Sequence, residues 1–431
     1  MIEKINSIIN EIAERRSKMK KIAFLVLVAL MVAGLVVSAC AAPTPTPTPA
    51  PAAQQLDIGV CSPLTGPMAF LGNQTINGTL LTIEDQNAKG GVTIGGQKYI
   101  VNPIVRDTKH DVVTARSIAE ELIFDKKVKI VIGPFLSDGV GMQTVTEKNK
   151  VLLFVIQCAI PQMTGPNKPY TYFVSFPIPQ MTYKLLYYTD KNLPGGKTVL
   201  SLAADVPDLG LFTTAMEDAC KLLGYEWIGF EKFSTDTRNF EPFVARVLTH
   251  KADIIDAGNT GGVMGATQCV MLKQLRAAGF SGPILIPAAP PEEVLESTLT
   301  PQALDKVVSQ YINVDGPIVN AKYRDVSKRY YAKHKEEAVD IVPGFYNVVS
   351  ALFDFLNTQN TMDTTAWTEG FSKYCWDGTM DERSCWIEQV GDGINRRVAQ
   401  NNWVTHYENG KPVTDFTAPF PWDLFVKPSS Q

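Results

Sequence analysis

The chain has 431 residues, 45% hydrophobic and 19% charged. That composition excludes a largely disordered protein, and the length exceeds what one compact core usually accommodates, so two domains are expected. The formal net charge of −4, with no basic block beyond the leader, excludes a nucleic-acid partner.

The leader sets the compartment. Lys20 and Lys21 precede an uncharged apolar run from Ile22 to Val37, closed by Val37-Ser38-Ala39-Cys40. A cationic start, an apolar stretch and a small-residue end make a secretory signal, and the closing tetrapeptide resembles a bacterial lipobox. Residues 1–39 then read as a lipoprotein signal peptide, translated from Met1 or from Met19. Cys40 is the lipidated first residue of the mature chain, held on the membrane by several acyl chains. The other reading is an uncleaved anchor, since about 18 apolar residues just span a bilayer. Residues 40–55, with PTPTPTPAPAA at their centre, form an extended spacer.

From Leu56 onward apolar strands alternate with helices. LDIGVCS is a strand, and the loop Pro63–Pro67 leads to a helix with Ile76, Leu80 and Ile83 on one face, ended by Gly90-Gly91. A strand over 97–106 precedes a helix capped by Asp111, with Ala115, Ile118, Leu122 and Ile123 on its buried side. KIVIG and VLLFVI are unbroken apolar strands around a helix starting near Ser137, the pattern of a parallel sheet covered on both faces. TVLSLAAD, EWIGFEKF, ADIIDAG and PILIP, with helices at 209–223, 240–250 and 262–278, repeat it as a second doubly wound unit. A strand after Val307 leads to helices at 317–334, 343–357 and 365–374. The tail from Trp386 reads as short strands with a hairpin turn at Glu408-Asn409-Gly410-Lys411.

The order SPLTGPMAFLG, EDQNAKGGVTIGGQKY, VRDTKHDVVTARSIAEELI and KIVIGPFLSD resembles the type I solute-binding proteins of ABC importers, in the Leu/Ile/Val-binding branch. DTRNFEPFVARVLTHKADIIDAG and MLKQLRAAGF continue the resemblance, which runs from Leu56 to about Lys427. It implies an α/β fold of two Rossmann-like doubly wound lobes joined by a three-segment hinge, the type I periplasmic binding protein architecture. The lobes would be 56–177 plus 313–385 and 178–312 plus 386–427. A small-molecule ligand would be held between them, beyond the carboxyl ends of the strands.

The resemblance also implies a site. Ser137 and Gly139, flanking Asp138, stand where the family loop holds a ligand carboxylate; the same residues also suit an ordinary helix N-cap. Asp138 would oppose a carboxylate unless it points away. Gln157, Cys158 and Ala159 match a second contact, with Ala159 in place of a threonine. On the other lobe Thr260 takes an aromatic's place, and Ala289 that of the acid that pairs with a ligand ammonium. Losing that acid argues against a plain α-amino acid, unless Asp205, Asp256 or Glu292 compensates. Phe70, Leu71 and Tyr346 are candidates for an aromatic and apolar wall, or for ordinary packing. Cys375 and Cys385 close a short polar loop as a disulfide or as two thiols, with export favouring the bridge. Cys61, Cys158, Cys220 and Cys269 read as buried small residues.

Catalytic patterns are lacking. Gly195-Gly196-Lys197-Thr198 lacks the first phosphate-loop glycine and precedes a strand; Gly258–Gly262 lacks G-x-G-x-x-G; no G-x-S-x-G or H-E-x-x-H occurs. The four histidines (His110, His250, His334, His406) are scattered, so no metal and no cofactor is expected. The expectation is a monomeric, non-enzymatic, extracytoplasmic binding lipoprotein on the outer face of the cytoplasmic membrane, serving an ABC permease and ATPase. A ligand-sensing receptor of the same fold is the alternative, and an exported α/β enzyme a more distant one.

Overall fold

A computed structural model forms two units, Met1–Ala52 and Ala53–Gln431. It describes residues 10, 11, 14–22 and 24–26 of the first. Of the second it describes 53–66, 68–156, 163, 167–174, 178–205, 209–259, 266–287, 289–380, 383–388, 395–398 and 403–419. The described part of the first unit is helical and exposed, with Arg15 paired to Glu11 one turn away. Among the described residues no helix is long and apolar enough to cross a membrane. Cys40 lies outside the described residues.

The second unit opens with β1 (Gln54–Ser62), α1 (Ala69–Ala88), β2 (Val92–Ile94), β3 (Gln97–Asp107) and α2 (Val112–Glu120), which ends in a π-turn at Glu121–Asp125. Gln54 and Gln55, read as spacer in the sequence, already pair with Tyr99 and Ile100 of β3. Then come β4 (Ile130–Ile132), α3 (Leu136–Thr146), β5 (Leu152–Val155) and β6 (Thr171–Phe173). The next series is α4 (Ile178–Asn192), β7 (Thr198–Ala204), α5 (Leu209–Leu223), β8 (Glu226–Phe233), α6 (Glu241–Leu248), β9 (Ile254–Asn259), α7 (Ala266–Ala277), β10 (Ile284–Ile286), α8 (Glu292–Thr298), α9 (Pro301–Leu304) and β11 (Val307–Ser309). The chain closes with α10 (Ala321–His334), α11 (Ile341–Leu356), α12 (Thr364–Phe371), β12 (Cys375–Trp376), β13 (Ser384–Glu388), β14 (Asn395–Val398), β15 (Trp403–Glu408) and β16 (Lys411–Thr417).

Among these residues there are two sheets. One runs β12-β13-β14-β6-β5-β4-β1-β3-β2 and the other β16-β15-β11-β10-β9-β7-β8. The parallel centre of each follows a doubly wound order: the second strand of the series lies on one side of the first, and later strands add on the other. The chain passes between the sheets three times: after β6, after β11 and after β14. Strands β13 and β14 therefore correct the sequence reading, which moved the chain to the second sheet from Trp386. β14 instead pairs parallel with β6, Arg397 beside Phe173, and β13 pairs antiparallel with β14. A disulfide joins Cys375 and Cys385, directly opposite each other on β12 and β13.

Strand alternation divides the first sheet's side chains between two cores. Ile58, Val60, Ile130, Ile132, Leu152 and Phe154 face α1 and α11, packing with Ile76, Ile83, Phe345, Val348 and Leu352. Val131, Leu153 and Val155 face α2 and α3, against Ala115, Ala119, Met142 and Val145. The second sheet repeats this, with Leu200, Leu202, Ile255 and Ile284 on one face and Val199, Ile254 and Leu285 on the other. Where the chain changes sheets, Ile178, Met181, Phe212, Ile312, Tyr323, Met380 and Trp403 make a separate cluster, and the Tyr323 and Trp403 rings meet edge-on at 5.7 Å.

The local signals act as expected. Asp111 caps α2, its side chain accepting from the Thr114 amide at 2.7 Å, and Asn409 and Gly410 both take positive φ in the β15–β16 turn.

Candidate functional site

In doubly wound sheets a ligand crevice forms beyond the carboxyl ends of the strands, where the winding reverses. In the first sheet that point lies between β1 and β4. The Ser62 hydroxyl, ending β1, donates to the Gly133 carbonyl after β4 at 3.1 Å. Gly133 has φ +102°, and a Cβ there would stand 2.8 Å from the Cys61 carbonyl oxygen, so only glycine fits this closure. The loop after β1 is tied to the end of β3: Asp107 accepts from the Leu64 amide (2.8 Å), the Thr65 hydroxyl (2.7 Å) and the Lys109 amide (2.9 Å). Burial acts to raise the Asp107 carboxyl, but the Thr65, Leu64 and Lys109 donors together hold it below its ordinary value.

Ser137 and Asp138 sit in the first turn of α3, just past that point. Phe135, the N-cap, makes no side-chain capping bond. Asp138 is fully buried and turned inward: one oxygen accepts from the Thr108 hydroxyl at 2.5 Å, and the other is 3.3 Å from Nδ1 of His110. The Ser137 hydroxyl stands 3.5 Å from both ring nitrogens of His110. Gly139 does not offer its amide to a ligand, because that amide donates to the Phe135 carbonyl at 2.6 Å inside the helix.

The remaining candidates fall into three groups. Gln157, Cys158, Ala159 and Thr260 lie outside the described residues. Leu71 is buried in the core and Phe70 packs partly buried against it, both in the first turn of α1 beside the reversal point. Tyr346 is engaged within the helices: its hydroxyl donates to Asp85 at 2.6 Å, and its ring lies under the Arg329 guanidinium, which also pairs with Asp85. Its partners are thus the helices α1 and α10.

On the second sheet, reversal falls between β7 and β9. Asp205, just past β7, is exposed and paired with Lys232 at 3.2 Å. Ala289 is buried beyond β10. Of the acids weighed as substitutes for the one missing at Ala289, Asp256 is buried within the sheet, where the Ser201 hydroxyl donates to it at 2.8 Å; burial pushes its carboxyl up to about 7. Glu292 opens α8, accepts from the Tyr407 hydroxyl at 3.1 Å, and is pushed up to about 8, chiefly by burial.

Sequence reasoning missed the segment 336–340, which straps the two sheets together. Gln74 of α1 donates to Glu336 (2.7 Å) and to the Glu337 carbonyl (2.9 Å), and accepts from the Val339 amide (3.1 Å). From there Glu337 reaches the second half, accepting from the Glu292 amide at 2.7 Å, while Asp340 accepts from Gln310 at 2.7 Å. Lys184, buried in α4, acts electrostatically on Asp340, whose carboxyl is nonetheless raised by burial. No local periodicity marks these residues. Sequence reasoning also gave no place to His110, which lies beside Ser137 and Asp138; its only sequence sign is a position between the strand-end carboxyl of Asp107 and the helix-capping Asp111. Among the described residues no group of three or more His, Cys, Asp or Glu is placed to hold a metal ion.

Two doubly wound sheets joined by three crossings, each reversing near its centre, define a two-lobed binding protein of type I. The family model for periplasmic binding proteins matches residues 55–410, and the chain belongs to that family. A Leu/Ile/Val/Thr-binding protein of Salmonella typhimurium is 25% identical over 250 residues, 54% of this chain and 62% of that protein. The chain matches little more than half the length of such relatives: the figure is 54% for the Leu/Ile/Val-binding protein BraC3 of Rhizobium johnstonii, 24% identical over 47% of this chain. The fold is also that of LivJ from Streptococcus pneumoniae, solved with isoleucine (TM-score 0.67, 16% identity, 85% of this chain and 100% of that one). A solute-binding protein from Rhodopseudomonas palustris, solved with 3,4-dihydroxybenzoic acid, gives TM-score 0.68 at 19% identity over 87% of this chain and 99% of that one.

Proposed function

We propose that the protein is the membrane-tethered solute-binding component of an ABC importer, lipidated at Cys40, which captures a small organic acid and releases it unchanged to a permease. The observation that carries this reading is the pairing of two reversal points, at Ser62–Gly133 and beyond β7 and β9, in a chain that changes sheets three times. Such halves close on a ligand by bending at a few crossing segments. One lobe comprises residues 56–174 with 313–398, the other 178–312 with 403–419. Ser137 and Phe70 line the first side, and Ala289 the second.

The ligand class is a carboxylate, amino acid or aromatic. Ala289 offers no charge for an ammonium; Asp205 is paired with Lys232, and Glu292, which accepts from Tyr407 through one oxygen, is raised to about 8 by burial and so favours its neutral form. Aromatic and other simple carboxylates therefore fit better than an α-amino acid.

A thermal-shift screen of amino acids, their amides, aromatic acids and neutral solutes tests the reading. A ligand at 100 times its Kd adds about 2.7 kcal/mol to stability. Ser137→Ala should reduce that gain while leaving the unliganded melt unchanged. A screen in which no solute stabilises the protein, or turnover of any hit, would overturn it. Fatty-acid labelling that persists in Cys40→Ala would remove the anchor.

A further inference from the structure

Asp138 raises a question of charge. It adjoins Ser137, the residue proposed to receive a ligand carboxylate, and a buried aspartate there should repel one. Its two oxygens, however, are directed to Thr108, itself fully buried, and to His110. The loop carrying these two residues leaves β3 and crosses the end of β1, the Thr108 amide donating to the Ser62 carbonyl at 3.1 Å, before it meets α3. His110 thereby arrives over the reversal point, its ring edge-on to Phe135 at 6.5 Å and its side chain 19% exposed. Lys109 and His110 both take left-handed backbone, φ 56° and 55°, a conformation unfavourable for two successive non-glycine residues.

The other charged groups of this loop are directed elsewhere. Asp107 binds Leu64, Thr65 and the Lys109 amide, Asp111 caps α2, and Lys109 is exposed. Among the described residues Asp138 on α3 is an ionic partner of the imidazole, and nearby on β1 is the buried Cys61 thiol.

Resting on the solute-capture reading, we propose that His110 is the charge-bearing specificity residue of the site. As an imidazolium held by Asp138, it joins the Ser137 hydroxyl in binding the carboxylate of an anionic ligand. Asp138 is its buried counter-ion and a positioning residue. The pair converts a position that would repel an anion into one that selects it. Two donors side by side on one edge of the site suit the two oxygens of a carboxylate, and a neutral amide at the same place forfeits the charge-assisted bond.

The test uses the full chain with two pairs of probes, 3,4-dihydroxybenzoate with its amide and isoleucine with isoleucinamide, by calorimetry and by imidazole NMR. Only four histidines need assigning. The expected result is at least tenfold preference for a carboxylate over its amide, and at least tenfold loss of carboxylate affinity in His110→Gln with a smaller loss for the amide, so that the preference collapses. Asp138→Asn should weaken the same carboxylate, and the His110 ring signals of the unaltered protein should shift on binding. Equal binding of acid and amide, unchanged affinity in His110→Gln, or unmoved His110 signals in a saturated complex would each overturn the proposal. If neutral solutes stabilise the protein and neither carboxylate binds, this inference falls while solute capture stands.

Discussion

Replacing Glu292 by glutamine isolates the cost of placing a carboxyl group where α8 meets Tyr407 and Glu337. Burial lifts this acid from 4.5 to about 8; the Tyr407 hydroxyl opposes the shift, Glu296 and Glu337 add to it, and Lys411 opposes it. Between those two values the folded protein retains a proton that the unfolded chain has released. Stability therefore falls as pH rises from about 4.5 to about 8 and levels off above. At about 1.4 kcal/mol per pH unit, the full window amounts to roughly 5 kcal/mol. Glutamine keeps the shape and an oxygen for Tyr407 but has no proton to lose. Urea unfolding at pH 5, 7 and 8.5 should show the two proteins converging at low pH and Glu292→Gln gaining at least about 1 kcal/mol by pH 8.5. Asp256, also raised, contributes the same trend to both proteins and cancels in the comparison. Parallel pH profiles would refute the reasoning.

Asn347→Ala should destabilise by about 3 kcal/mol or more in denaturant melts, since the buried amide accepts from Trp376 Nε1 (2.9 Å) and the Thr379 amide (2.8 Å) and donates to Ser384 (3.2 Å). Gly72→Ala should lose more than about 2 kcal/mol despite alanine's helix propensity, because a Cβ there would lie 1.7 Å from the Pro63 carbonyl oxygen; a melting point equal to that of the unaltered protein would contradict this. Removing both Cys375 and Cys385 as serines should cost about 2–3 kcal/mol, and a reductant should lower the melting temperature of the unaltered protein but not of the double variant.

The fold was legible where local chemistry and global packing agree. Apolar strands such as KIVIG and VLLFVI have no polar side, and each proves to be covered twice, with Ile130 and Ile132 on one face and Val131 on the other. Asp111 announced a helix because a cap acts over three residues. Non-local choices were less visible. Tyr346 has the spacing of either a cleft wall or a packed helix, and its bond to Asp85, 261 residues away, leaves no trace in any local pattern. The third crossing follows from β14 choosing β6 as its neighbour, a pairing no sequence window contains. The site was half legible. The reversal loops follow from strand order, but the inward turn of Asp138 depends on Thr108 and His110 meeting it from another loop.

Because α11 fills the centre of the first sheet's core and β14 extends that sheet beside β6, the amino-terminal half of the protein cannot mature in the order in which it is made. Its parallel strands must wait for residues nearly two hundred positions downstream, while much of the intervening sheet can assemble. A ribosome thus delivers an unfinished frame first and its keystone last, and a chain stopped at residue 175 should emerge as a protease-sensitive fragment rather than a working lobe.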